Sequence, residues 1–202
     1  MKEKILEKAT DLFLSLGFKS VTMDDIANKM GISKKTIYQH FENKNCLVKS
    51  CTFFMFNFIS CGIDHICSTN KNPVEELFEI KSFVLKNLKD EKSSPQYQLQ
   101  KYYPKIYLDL RKKQYEKMND CVVDNIQKGI DQGYFRSDVN VDIVSKFYFN
   151  GMMDLKNIDI FPPQNYSMPQ LMETYLEYHI RAIATPKGIE ILNQVINQST
   201  NK

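Results

Sequence analysis

Apolar residues recur at steps of three and four along almost the whole chain. Ile5, Leu6, Ala9, Leu12, Phe13 and Leu16 fall on one face, with Lys2, Lys4, Glu7, Lys8 and Asp11 opposite, which predicts an amphipathic first helix. Gly17 is placed to end it as a left-handed cap. Thr22 can then cap a short helix from Met23 to Met30, whose first turn carries Asp24 and Asp25 where carboxylates complement the helix dipole, and Gly31 stops it. Ser33 offers the next cap, for a third helix from Lys34 to Phe41. Two short helices so closely spaced must meet at a sharp angle, the geometry of a helix-turn-helix.

Asn43 caps a longer fourth helix carrying Leu47, Val48, Cys51, Phe54, Met55 and Phe58, and expected to run to about Cys67. Asn72-Pro73 and Ser94-Pro95 each set a capping residue before a proline in the first turn, so two more helices start there. From Pro104 the pattern Ile106, Leu110, Met118, Val122, Ile126 and Ile130 reads as one long helix closed by Gly133, followed by a connection from Tyr134 to Asn140. Helices from Val141 to about Leu155 and from Met168 to about Ala184 flank the proline-bearing loop Phe161 to Pro169; Thr185-Pro186 opens a last helix that frays into Asn197 to Lys202. The pattern predicts an all-α fold of nine to ten helices. Residues 1–47 form a helix-turn-helix domain, joined through the fourth helix, without a flexible tether, to a bundle over 48–202.

Seven glycines and seven prolines are few for 202 residues and agree with that fold. Residues 1–50 hold nine lysines against six acidic residues, while the other 152 balance at eighteen each, so the whole surplus of +3 sits at the N-terminus. So small a surplus suits a solvated face as well as nucleic acid, and the motif has to carry that claim. Five cysteines without paired spacing, and no secretory hydrophobic stretch at the start, lead us to expect a reducing cytoplasm. No run approaches the roughly 20 apolar residues of a membrane span, the nearest being Phe53 to Ile59, so no membrane partner is expected. Cys61 and His65 stand four apart with Cys67 two further on, a spacing a soft metal can use. Free cysteines are more commonly buried small hydrophobes, and no metal or cofactor is assigned. A nucleotide-binding glycine loop, a nucleophile with a positioned base and a clustered acid pair are all missing, which argues against an enzyme.

Between Thr22 and Phe41 each position that two crossing helices constrain holds a residue that fits: Ala27 is small, Gly31 tolerates positive φ, and Ile26, Ile32, Ile37 and Phe41 are expected to point inward. The outward face of the third helix is polar. Lys34, Lys35, Thr36 and Gln39 are candidates for base edges, where lysine reaches guanine and threonine a thymine methyl. Thr22, Ser33, Tyr38, His40 and Lys44 are placed for phosphates, several of them at helix N-termini whose free amides favour anions.

The pattern Thr22, Ile26-Ala27, Gly31-Ile32-Ser33, Ile37-Tyr38, His40-Phe41, Lys44 and Leu47 resembles the TetR family of bacterial regulators over about the first quarter of the chain. Lys35 stands where many of that family carry glycine. The resemblance implies an all-α homodimer on a palindromic double-stranded operator, with a C-terminal region that takes a small-molecule effector and releases DNA when occupied. Aromatic and methionine side chains beyond residue 50 suggest a mainly apolar pocket, for which Phe54, Phe58, Tyr103, Tyr107, Phe147 and Met152 are candidates beside ordinary core packing. The family position of the subunit interface points to Phe147, Gly151, Leu155, Leu171, Tyr175 and Tyr178, with Gly151 expected to admit a partner helix. The rival reading is a DNA-binding dimer with an organisational or protein-partner role and no small effector.

Overall fold

A computed structural model describes residues 1–88 and 95–200, with side chains to residue 198. It is all-helical, with ten helices among the described residues: α1 (Lys2–Leu16), α2 (Met23–Met30), α3 (Lys34–Tyr38), α4 (Lys44–Ser68), α5 (Pro73–Leu88), α6 (Pro95–Tyr102), α7 (Pro104–Asp131), α8 (Val141–Asp154), α9 (Met168–Ile183) and α10 (Pro186–Thr200). Local capping chemistry sets most of their starts. The Asn43, Asn72 and Asn140 side-chain carbonyls accept the backbone N–H of Cys46, Glu75 and Ile143, and the Ser167 hydroxyl accepts that of Gln170. Ser94, the expected cap of α6, lies outside the described residues. Gly17 closes α1 at φ 88° but with ψ 153°, an extended rather than a left-handed helical exit, whereas Gly31 takes the left-handed cap at φ 64°, ψ 32°. The third helix ends at Tyr38, three residues short of the expected Phe41, because the His40 N–H turns to Ile37 O in a tighter 3.0 Å bond.

Packing divides the chain into two compact units, Met1–Ser60 with Asn87–Gln114 and Cys61–Lys86 with Tyr115–Lys202. A boundary after residue 47 separates the motif from the rest, but packing follows other lines: Val48 and Cys51 of α4, Leu99 of α6, and Ile106 and Leu110 of α7 share one core with Ile5, Ala9, Phe13, Ile26, Ile37 and Leu47. Helices α4 and α7 thus contribute residues to both units. By length and composition α4 is apolar enough to cross a membrane, which the uninterrupted run counted in the sequence did not register because Asn57 and Ser60 interrupt it. Its first turns are buried in the first core at Leu47, Val48 and Cys51.

The second unit packs Val74, Leu77, Phe78, Val122, Ile126, Phe135, Tyr148, Leu176, Ile180, Ile183 and Leu192 together. A short antiparallel crossing stitches its C-terminal helices: Arg136 N–H donates to Ile183 O at 2.9 Å and Thr185 N–H to Tyr134 O at 2.9 Å. Gly188 sits against that crossing, where a Cβ would lie 2.2 Å from Tyr134 O, so glycine is required by space. The buried Glu76 carboxylate accepts from Asn125 Nδ2 at 2.7 Å and Lys128 Nζ at 2.8 Å, which satisfies a charge otherwise costly to bury.

His179 of α9 lies buried between Tyr148 and Tyr175, edge-on to Tyr148 at 4.8 Å, and burial pushes its pKa from 6.5 down to about 4. The folded state therefore holds it neutral while the unfolded chain takes a proton below pH 6.5. Its contribution is present above pH 6.5 and is lost as the pH falls toward 4, by up to about 3 kcal/mol. Urea unfolding between pH 4.5 and 7.5 should show that loss, and His179→Phe should flatten it; equal slopes for both proteins would assign the pH dependence elsewhere.

Candidate nucleic-acid interface

The helix-turn-helix is held by bonds between residues a few positions apart. The Thr22 hydroxyl accepts the Asp25 N–H at 3.1 Å, while the Asp25 carboxylate accepts both the Thr22 N–H at 2.8 Å and the Thr22 hydroxyl at 2.7 Å. This reciprocal cap fixes the start of α2 and, through the Thr22 hydroxyl first and its N–H second, holds the Asp25 pKa below its ordinary value. Ile32 N–H reaches back to Ala27 O at 3.1 Å, closing the turn that Gly31 opens. No atom lies within 4 Å of the Cβ position at Gly31, so its backbone conformation and not space calls for glycine. The Ser33 hydroxyl accepts the Thr36 N–H at 3.1 Å and pairs with the Thr36 hydroxyl at 2.8 Å, capping α3.

Ile26, Ala27, Ile37 and Phe41 are buried and bind α2 and α3 to α1; Ile32, also expected inside, is half-buried against the same core. The nine candidate DNA contacts lie on the outside. Thr22, Ser33, Lys34, Lys35, Tyr38, Gln39 and His40 are exposed, and Thr36 and Lys44 half-buried. Lys34 Nζ is bound to Asp24 Oδ2 at 2.7 Å, which raises its pKa. Lys44 Nζ donates to Lys19 O at 3.3 Å; partial burial lowers its pKa against the opposing pull of Asp25. The pairing of Asp24 with Lys34 was not legible in the sequence, because it joins two helices across the turn. Asp24→Asn should free Lys34 and remove an anion from a face meant for phosphates, strengthening DNA binding by about 1 kcal/mol, roughly fivefold. Binding isotherms at one salt concentration check this; unchanged affinity would mean that Lys34 takes no part.

The remaining candidates are more scattered. Of the pocket set, Phe54, Phe58, Tyr103 and Tyr107 belong to the first unit, where Tyr103 and Tyr107 lean on its core and Phe58 is exposed. Phe147 and Met152 belong to the second, Met152 against its core and Phe147 at 67% exposure on α8. Of the interface set, Phe147 and, at 71% exposure, Tyr178 are open, Leu171 and Tyr175 are half-buried, and Leu155 is buried within its own unit. The space above Gly151 is filled by the Tyr175 ring of the same chain, whose hydroxyl donates to Phe147 O at 3.0 Å, so this glycine serves the packing of α8 on α9. Cys61 and His65 are exposed while Cys67 turns toward Cys121, since six residues along a helix carry it to another face. Among the described residues no three metal-binding side chains converge.

Residues 5–51 match the model of the family described as bacterial regulatory proteins, tetR family. The chain is 29% identical over 150 residues, covering 71% of it and 74% of the relative, to the HTH-type transcriptional repressor KstR2 of Mycobacterium tuberculosis. A shorter stretch, 29% of this chain and 34% of the relative, is 38% identical to IcaR of Staphylococcus aureus, a negative transcriptional regulator of the biofilm operon icaADBC. In fold the chain is similar to a TetR-family transcriptional regulator from Agrobacterium tumefaciens, with a TM-score of 0.72 at 15% identity over 91% of this chain and 97% of that one. It is also similar to the structure of KstR2 of Mycobacterium tuberculosis, described as a ketosteroid transcriptional regulator, with a TM-score of 0.56 at 23% identity over 91% and 95%.

Proposed function

We propose that this chain, which belongs to the TetR family of DNA-binding transcriptional regulators, acts as a homodimeric repressor on a palindromic operator and leaves it when a small, mainly apolar effector binds. The observation that carries the reading is the solvent-facing row on the capped helix α3, next to Lys44 at the start of α4. Lys34, Lys35, Thr36 and Gln39 read base edges in the major groove; Thr22, Ser33, Tyr38, His40 and Lys44 hold phosphates on either side. Exposed Ile143 and Phe147 on α8 and Tyr178 on α9 support dimerisation through that face, since large apolar side chains left in water favour a partner surface. Operator DNA as the partner supports a cytoplasmic location.

Release needs a path from the effector to the DNA-binding helices, and the first unit supports one. The Gln98 side chain of α6 occupies the space over Gly17 and accepts the Lys19 N–H at 3.0 Å, Phe18 meets Tyr103 edge-on at 6.3 Å, and Leu99 is part of the core beneath α1. A shift of α6 therefore carries the loop that leads into the Thr22 cap. The effector has to prefer the DNA-free arrangement; tight binding to both releases nothing. A tenfold loss of DNA affinity takes about 1.4 kcal/mol of coupling, and DNA must weaken the effector by the same factor. Selection of operator duplexes from random sequence, followed by titration of candidate apolar ligands into the complex, tests both halves. An inverted repeat that binds and is released supports the reading. Failure to recover any duplex overturns it, and a bound ligand that leaves operator affinity unchanged leaves the alternative of a DNA-binding dimer without an effector.

A further inference from the structure

Beside the helix-turn-helix, the first unit carries a second row of cations. Lys44 Nζ rests on the carbonyl of Lys19 at 3.3 Å. Lys19 in turn holds its ammonium 4.8 Å from the centre of the Tyr102 ring on α6. One residue back, Lys101 stands 5.6 Å from the rings of both Tyr102 and Tyr97 and donates to the Tyr97 hydroxyl at 3.4 Å. Lys19 and Lys101 are exposed, and the two tyrosines remain 39% and 38% exposed. Lys34 and Lys49 of this unit pair with carboxylates, Asp24 and Asp109; among the described residues Lys19 and Lys101 form no such pair and are held against tyrosine rings instead.

An ammonium lying on a tyrosine ring keeps its full charge and loses conformational freedom. Two charges without a carboxylate partner among the described residues are thus held in place on a strip continuous with Lys44. The tyrosine faces engaged by lysines are not free to stack on bases, so the strip offers fixed charge to a regular line of anions rather than a platform for single strands. We infer that Lys19 and Lys101, braced by Tyr97 and Tyr102, grip the phosphate backbone of duplex DNA flanking the half-site read by α3. The inference rests on the operator-binding reading above and extends it from the segment Thr22 to Lys44 to α6, so the protein's footprint is longer than the sequence it reads. Gln98, between the two tyrosines, ties α6 to the backbone of Lys19, so the two lysines belong to one local structure.

The test uses the full chain and an operator duplex recovered by selection, once as the core repeat and once with ten further base pairs of unrelated sequence on each side. For the native protein the extended duplex should bind more tightly and with the steeper salt dependence. Lys101→Ala, and more so Lys19→Ala with Lys101→Ala, should leave core binding within twofold, remove roughly tenfold of affinity for the extended duplex, and reduce its salt slope by about one for each phosphate released. Lys101→Arg should retain the gain. Equal binding of the extended duplex by the native and double-variant proteins overturns the inference, as does an equal loss on both duplexes, which would mean that the strip only props the recognition helices. Loss of oligo-dT binding with duplex binding intact would also overturn it, in favour of single strands. If selection with the native protein recovers no duplex, the operator reading fails instead, so the two failures are distinguishable.

Discussion

Raising the salt from about 50 to 200 mM is expected to weaken binding to the core operator by roughly a thousandfold. Lys34, Lys35 and Lys44 each carry an ammonium on the face proposed to meet DNA, and the proposed two-fold dimer would bring about six. Each ammonium brought into the groove or onto a phosphate displaces condensed counterions, giving a slope of log affinity on log salt near −5. The two recognition helices should sit about 34 Å apart, or a multiple of that, on an inverted repeat. Anisotropy titrations at graded salt measure the slope, and a value between 0 and −1 would show that these lysines do not reach the DNA. Within the same experiment Lys44→Ala should lower affinity about equally for all sequences. Thr36→Ala, at the residue whose hydroxyl is bound to Ser33, should change the preference at one base pair by about 1 to 3 kcal/mol. Selection on randomised half-sites separates these two behaviours.

Phe13→Ala should cost about 3 to 5 kcal/mol, a large part of the roughly 5 to 15 kcal/mol that holds a typical protein folded. Phe13 is almost fully buried in α1, lies 5.1 Å from the Phe18 ring, and through Phe18 leads to Tyr103. Its removal opens a cavity in the core that α1 shares with Met23, Ile26 and Ala27 of α2 and Ile37 of α3. Operator binding should fall with stability, and the urea midpoint followed by far-ultraviolet circular dichroism should drop. Leu16→Ala is the control and should change stability by less than about 0.5 kcal/mol, because Leu16, although expected on the apolar face, stands exposed at the C-terminal end of α1. Equal effects of the two substitutions would mean that the side of α1 facing the core had been misread.

The interface motif was legible because it is built from contacts three to five residues long. Thr22 with Asp25, Ser33 with Thr36, Gly31 at positive φ, and Asn43 and Asn140 before their helices are set by neighbours in the chain, so residue type and spacing suffice to place α2, α3, α4 and α8. The ends of helices were less legible: α3 stops at Tyr38, where the His40 N–H turns to Ile37 O, and Ile37 and Phe41 on either side of that turn are both buried. Contacts between distant residues are not written in any local pattern. Nothing near Lys34 predicts its bond to Asp24, and nothing near Lys19 predicts Tyr102, 83 positions away. Glycines show the same division. Gly31 answers to its own backbone conformation, whereas Gly151 and Gly188 answer to Tyr175 and to the carbonyl of Tyr134, which folding brings against them. Periodicity and caps, being local, determined the all-helical fold and the DNA-reading motif. Which aromatic side chains are buried, which lysines pair with which carboxylates and which side chains of α8 stay exposed depended on packing between helices far apart in the chain, and only the tertiary structure decided them.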